Sequence, residues 1–146
     1  MADLLNNTNS NANNYGDDAI VTLSPREHIR LRPGMYVGVV GDGSQPDEAL
    51  YVLIKEVVDN SIDEFIMGAG RQIDITLADN VVTVRDYGRG IPLKSLAAAV
   101  GQMNTGGKYG GDAFKKTVGL NGVGVKAVNM LSEEFTARSV RDGEAR

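Results

Sequence analysis

Apolar residues recur at helical spacing most clearly between about Pro46 and Met67. Leu50, Leu53, Ile54, Val57, Val58 and Phe65 form one stripe at a period of about 3.6 residues, which predicts a long amphipathic helix. Ser44 is placed to cap it, Asp47 and Glu48 suit its positive end, and Gly68 and Gly70 stop it. The period then changes. Ile73, Ile75 and Leu77 alternate within Gln72–Leu77, Ala78-Asp79-Asn80 turns the chain, and Val81–Arg85 runs back as the second arm of a β-hairpin.

Weaker signals surround these two elements. Ile20–Leu23 is strand-like. Ser24-Pro25 with Glu27 in the first turn opens a helix that Arg32-Pro33-Gly34 ends. Tyr36–Val40 reads as extended and Gly41–Gln45 as loop. Leu93–Met103 reads as a modest helix with Leu96, Ala99, Val100 and Met103 inward. Asn104–Gly119 reads as a loop, a helix starts near Gly122 and runs to Leu131, and Glu134–Arg141 reads as a strand. Asp142-Gly143 is a hairpin-turn signal, yet only Glu144-Ala145-Arg146 follow it, so the expectation is a chain cut inside a sheet with no return strand.

Composition narrows the function classes. A chain of 146 residues makes one small domain. The absence of cysteine excludes disulfides and thiolate metal sites, and a single histidine, His28, argues against a histidine-rich metal centre or a Ser-His-Asp triad. A net charge of −4 argues against direct DNA contact by this piece. The first residues lack a basic n-region and an apolar h-region, and no apolar run reaches the ~18 residues a membrane helix needs, so no membrane partner is expected. Six of the first 14 residues are Asn, which suggests a disordered arm over 1–14 ahead of a domain over 15–146. Glycine is the compositional oddity, at 18 of 146 residues, or about 12% against a usual ~7%.

Three places carry candidate chemistry. On the long helix, Glu56, Asn60 and Asp63 fall within a sector of roughly 60°, beside the apolar stripe. Asp42–Ile66 holds seven acidic residues and one lysine, and a solvated acidic face is the commoner reading of such a run. A carboxylate and a carboxamide one turn apart are also a natural set for orienting water and holding Mg²⁺. From Lys108 to Lys126 the balance reverses, with four lysines and one aspartate. There G-L-N-G-V-G-V at Gly119–Val125 feeds a helix start, where backbone N–H groups make an anion site. A flexible surface loop is the competing reading, and neither the dinucleotide fingerprint nor a P-loop is present. In D-Y-G-R-G, Asp86 ends a strand and can accept from a ligand amine, while Gly88 and Gly90 permit close approach; alone, this motif reads as an ordinary turn.

In this order, the three pieces resemble the ATPase domain shared by gyrase, histidine kinases and mismatch-repair ATPases. R-P-G-M-Y-V-G at Arg32–Gly38, E-V-V-D-N-S-I-D-E at Glu56–Glu64, D-Y-G-R-G-I-P at Asp86–Pro92, G-G-K-Y at Gly106–Tyr109 and G-L-N-G-V-G-V narrow it. Together they resemble the B subunit of bacterial type II DNA topoisomerases, over Tyr15 to about Arg141. The resemblance implies an α/β fold, a two-layer sandwich of sheet and helices, that binds and hydrolyses ATP with Mg²⁺. It makes Glu56 the general base that activates water and Asn60 the Mg²⁺ ligand. Asp86 would accept from the adenine amine. Arg89 would flank the adenine edge and pair with Glu64, and Gly90 and Ile91 would line the nucleotide. Gly106, Gly107 and Lys108 would belong to a lid, and the amides of Leu120, Asn121, Gly122, Val123, Gly124 and Val125 would hold the phosphates. Tyr15 fits an arm residue that reaches the nucleotide of a partner protomer, which implies a homodimer. A cytoplasmic enzyme acting with an A subunit and DNA is implied as well.

Some positions depart from the commoner gyrase pattern. Tyr87 stands for a second Asp, Asn104-Thr105 for His-Ala, Asn121 for a His, and Val52 for a His that supports the base. With a short lid, these look more like a topoisomerase IV-type B subunit. In the family the domain continues with further strands and a transducer, so weak or no turnover is expected from this chain alone. A non-hydrolysing nucleotide-binding or interaction module is the alternative reading. A sensor kinase's ATP domain ranks lower, since it should lack R-P-G-M-Y-V-G.

Overall fold

The computed structural model describes residues 20–105 and 122–146. Its elements are helix α1 (Pro25–Leu31), helix α2 (Gly34–Val37), helix α3 (Ala49–Ile66), strands β1 (Ile73–Ala78) and β2 (Val81–Asp86), a 3₁₀ turn at Leu93–Ser95, helix α4 (Leu96–Gly101), helix α5 (Gly124–Leu131), and strands β3 (Val140–Arg141) and β4 (Glu144–Ala145).

Local chemistry explains where the first elements start. The Glu27 amide donates to Ser24 Oγ at 3.3 Å and the Ser24 amide donates to Glu27 Oε2 at 2.8 Å, so the capping box of α1 closes both ways. Ile20–Leu23, expected as a strand, takes no regular structure, and Val21 stays exposed. The expected extended stretch at Tyr36–Val40 is instead α2. The Pro33 carbonyl accepts from the Tyr36 and Val37 amides at 2.9 and 3.0 Å, and the proline's fixed φ suits that entry. Extension is confined to a single parallel bridge between Val39 and Glu48.

Helix α3 begins three residues later than the hydrophobic pattern suggests, with Glu48 rather than Ser44 at its N-cap. The Ser44 amide instead donates to Asp42 Oδ1 at 3.0 Å. This local Asx-type bond competes with the helix and keeps the segment a loop. The apolar stripe is also buried unevenly. Leu50 and Phe65, near its ends, remain 50% and 62% exposed, while Asp59, Ser61 and Asp63 are buried. Among the described elements, α3 packs chiefly against α5, β2 and α2. The buried apolar residues Ile29, Val37, Leu96, Ala127 and Met130 sit where α1, α2, α4 and α5 converge. Arg30 locks that cluster: its Nε donates to the Met130 carbonyl at 2.7 Å and its Nη2 to the Ser132 carbonyl at 3.2 Å, at the negative end of α5.

The hairpin forms as read, with Ile75 opposite Val84 and Leu77 opposite Val82. Asp79 and Asn80 both take positive φ, 51° and 61°, the type I′ geometry of a two-residue hairpin loop. The last segment differs from expectation. Only Val140–Arg141 of the expected Glu134–Arg141 strand is a strand, and a return strand does exist, since β4 pairs antiparallel with β3 through a turn at Asp142 (φ 54°) and Gly143 (φ 81°). Backbone bonds between Ser139 and Arg146, at 2.9 and 3.0 Å, extend the pairing by one residue. Among the described residues the two hairpins are separate two-stranded sheets, and the fold is mixed α/β.

Candidate functional site

Helix α3 brings Glu56 to α5. An ideal Cβ built on Gly124 would lie 1.8 Å from Glu56 Oε2 and 2.6 Å from its Cδ, so the carboxylate occupies the space that the missing side chain leaves. Gly124 is the first residue of α5, and its N-cap, Val123, makes no side-chain capping bond. The helix therefore presents its first backbone N–H groups beside Glu56, the arrangement that favours an anion. Asn60 Nδ2 donates to the Glu56 carbonyl at 2.7 Å, one turn back along α3. That bond engages the nitrogen end of the carboxamide, and the oxygen end is the one a hard cation takes.

Burial raises the Glu56 carboxyl above the usual carboxylate range, the nearby Asp59 charge adds to the rise, and Lys55 opposes it. Glu56 therefore keeps its proton to a higher pH than an ordinary glutamate, which brings it closer to a base's working range. Asp59 is itself paired with Lys55, one turn before it on the same helix.

A second group of residues sits at the end of β2. Asp86 Oδ1 accepts from the Gly88 amide at 2.9 Å, which turns the chain out of the strand. Arg89 forks onto Glu64, Nε to Oε2 at 3.0 Å and Nη2 to Oε1 at 2.9 Å, and its amide donates to the same Oε2 at 3.0 Å. The pairing expected from the resemblance is thus present, and it ties the loop to the last turns of α3. Gly88 permits it, because a Cβ there would lie 2.8 Å from Glu64 Cβ. Beside this loop is a cleft of about 310 Å³, with Ser61, Ile62, Phe65, Ile73, Asp86 and Gly88 in its wall. Of the expected site residues that are described, Asp86 alone lines it.

The other side of the loop rests on the β3–β4 hairpin. Ser139 Oγ donates to the Ile91 carbonyl at 2.7 Å and Arg141 Nη1 to the Gly90 carbonyl at 3.3 Å. Gly90 has φ +74°, and its Cβ would lie 2.4 Å from the Val140 carbonyl oxygen. Gly90→Ala therefore combines left-handed strain with a backbone overlap, and a loss of about 2–5 kcal/mol in a denaturant melt is expected. Gly68→Ala (φ +82°, nothing within 4 Å) isolates the strain alone and is expected to cost about 1–2 kcal/mol. Equal losses in the two variants would mean that the overlap with Val140 contributes nothing.

The structure thus joins Glu56, Asn60 and Gly124, with Gly122, Val123 and Val125 at the same helix start, and separately joins Asp86, Arg89, Gly90 and Ile91. Tyr15, Gly106, Gly107, Lys108, Leu120 and Asn121 lie outside the described residues. Sequence reasoning missed Ser139 and Lys126. Lys126 is 3% exposed, and its Nζ donates to the Thr105 carbonyl at 2.5 Å. Nothing in the local pattern marks Ser139, whereas a lysine on the inner face of the α5 helix is a detectable anomaly. No group of three or more His, Cys, Asp or Glu side chains suited to a metal ion occurs among the described residues, nor does a helix long and apolar enough to cross a membrane.

The chain is 58% identical over 132 residues to the B subunit of DNA topoisomerase 4 from Borreliella burgdorferi, a match covering 90% of the chain and 22% of that protein. It is 44% identical to the B subunit of DNA gyrase from Rickettsia conorii (92% of the chain, 17% of that protein) and 40% identical to the B subunit of DNA topoisomerase 4 from Streptococcus pneumoniae (91% and 21%). The chain therefore spans about a fifth of the length of the curated relatives it matches. Residues 45–145, which hold the Glu56–Gly124 contact and the Asp86 loop, match the model of the histidine kinase-, DNA gyrase B- and HSP90-like ATPases, and the chain belongs to that family.

Proposed function

We propose that this chain is the ATP-binding part of the B subunit of a type II DNA topoisomerase, and that ATP hydrolysis at Glu56 drives strand passage in the whole protein. The contact that supports this most directly is Glu56 seated against Gly124 at the start of α5, where the Val123 side chain makes no capping bond, with Asn60 bonded behind it. It places a proton acceptor beside a group of N–H donors suited to phosphate. Phosphoryl transfer to water needs mainly positioning and charge stabilisation, which such a pair provides.

In this reading Glu56 takes the proton of the attacking water, and the amides of Gly122–Val125, together with those of Leu120 and Asn121, bind phosphate oxygens. Asp86 accepts from the adenine amine beside the cleft, where Ile62, Phe65 and Ile73 offer apolar walls. Arg89, held by Glu64, borders the base with Gly90 and Ile91. Asn60 would hold Mg²⁺ through its amide oxygen, a hard donor of the kind this ion takes, and the ion would supply neutralisation of phosphate charge. Gly106, Gly107 and Lys108 form the lid, and Tyr15, just after the arm over 1–14, reaches the other protomer of a homodimer. The A subunit and DNA are partners of the whole protein in the cytoplasm. The 58% identity to a topoisomerase 4 relative and the substitutions at Val52, Tyr87 and Asn121 favour the topoisomerase IV type.

Calorimetric titration of the chain with a non-hydrolysable ATP analogue and Mg²⁺ tests the reading. Saturable binding is expected, weakened about 10–100-fold in Asp86→Asn, since a hydrogen bond to a charged group contributes about 1.5–3 kcal/mol. A folded chain that shows no saturation, or an Asp86→Asn variant that binds equally well, would exclude this assignment.

A further inference from the structure

We propose that Ser139 is a positioning residue for the nucleotide loop Arg89–Ile91, acting from the β3–β4 hairpin through the Ile91 carbonyl. The inference rests on the reading of Asp86, Arg89, Gly90 and Ile91 as nucleotide-binding. Ser139 is 5% exposed, and its Oγ donates to the Ile91 carbonyl at 2.7 Å. Its own backbone is fixed, because its amide and carbonyl both bond to Arg146, at 2.9 and 3.0 Å. The hydroxyl is thus presented from a rigid base, 48 residues away in sequence.

The neighbouring carbonyl is held from the same hairpin, by Arg141 Nη1 on Gly90 at 3.3 Å. Val140 approaches so closely that Gly90 has no room for a side chain. The loop is consequently clamped between two supports. Glu64 on α3 grips Arg89 from one side through three bonds, and Ser139 and Arg141 fix two successive peptide planes from the other. Ile91 is 38% exposed, so without the Ser139 hydroxyl its carbonyl turns to water, and its peptide is no longer tied to the hairpin. The Arg89–Ile91 segment would then sample positions that the bound nucleotide must reorder, at a cost to affinity.

The test compares Ser139→Ala, Ser139→Thr and Arg141→Met in the whole 146-residue chain. Two readouts are taken at a temperature where all are folded by circular dichroism: amide hydrogen exchange by segment, and calorimetric affinity for the non-hydrolysable ATP analogue with Mg²⁺. In Ser139→Ala, exchange at Arg89, Gly90 and Ile91 is expected to rise about three- to tenfold with α3 and α5 unchanged, and affinity to fall by a similar factor. Ser139→Thr keeps the hydroxyl and restores both, while Arg141→Met loosens the same three amides. Wild-type exchange in that segment in Ser139→Ala, or a uniform rise across all segments, overturns the proposal. If the wild-type chain binds no analogue, the functional reading above fails, and the exchange measurement still decides whether Ser139 holds the loop.

Discussion

Replacing Glu56 by alanine is expected to slow ATP hydrolysis at least ~100-fold while leaving analogue affinity within about threefold of wild type. The proposed proton acceptor lies against the start of α5, and burial together with Asp59 raises its carboxyl towards the range where a base works well. On the proposed reading, removing it would take away proton transfer and leave the phosphate and adenine contacts in place. Glu56→Gln sharpens the test. It fills the same space against Gly124 but cannot take a proton, so it should lose as much as alanine. Single-turnover hydrolysis is the proper measurement, with this chain exchanged for the matching segment of the Borreliella burgdorferi relative. Normal turnover in Glu56→Gln would mean that another group activates water.

Gly124→Ala is expected to cut the same rate by about 10–100-fold, although it touches no reacting atom through a side chain. Its Cβ would need the position that Glu56 Oε2 holds, 1.8 Å away, so the carboxylate must swing aside. The glutamate's end is flexible enough to move without unfolding the helix pair. Alanine is also the better helix former, by about 1 kcal/mol, so thermal stability should hold or rise as activity falls. That opposition separates a displaced base from a damaged fold. A double-mutant cycle adds the last constraint: with Glu56 already replaced by alanine, Gly124→Ala should change the residual rate by less than about twofold. Additive losses would instead assign Gly124 to phosphate binding through its amide.

The Glu64–Arg89 pair shows what pattern reading reaches well. Its two partners lie in motifs recognisable from the sequence, and the structure brings them together as a bidentate pair. The Asp79-Asn80 and Asp142-Gly143 turns were legible for a local reason, since few other residues accept consecutive positive φ. The capping box at Ser24 and Glu27 is equally local. Each of these depends on atoms within a few residues, or on a motif whose spacing is itself the signal.

The burial of α3 was not legible in the same way. Periodicity marks Leu50 and Phe65 as inward, yet both are half exposed or more, and Asp59, Ser61 and Asp63 are buried in their place. Helical period states which residues share a face; it does not state how far along that face a neighbour extends. The α2 turn at Gly34–Val37 and the late start of α3 turn on a few local hydrogen bonds, which outweigh weak propensities.

The long helix, the first hairpin and the order of the chemical motifs can be read along the chain, because period, turn chemistry and motif spacing are properties of neighbouring residues, while the α/β class came through the family resemblance. Packing alone reveals that Glu56 fills the space at Gly124, 68 residues on, and that Ser139 and Arg141 hold the carbonyls of Ile91 and Gly90. Those contacts join elements distant along the chain. Their geometry follows from how helices and hairpins pack, and no local pattern encodes a distance between them.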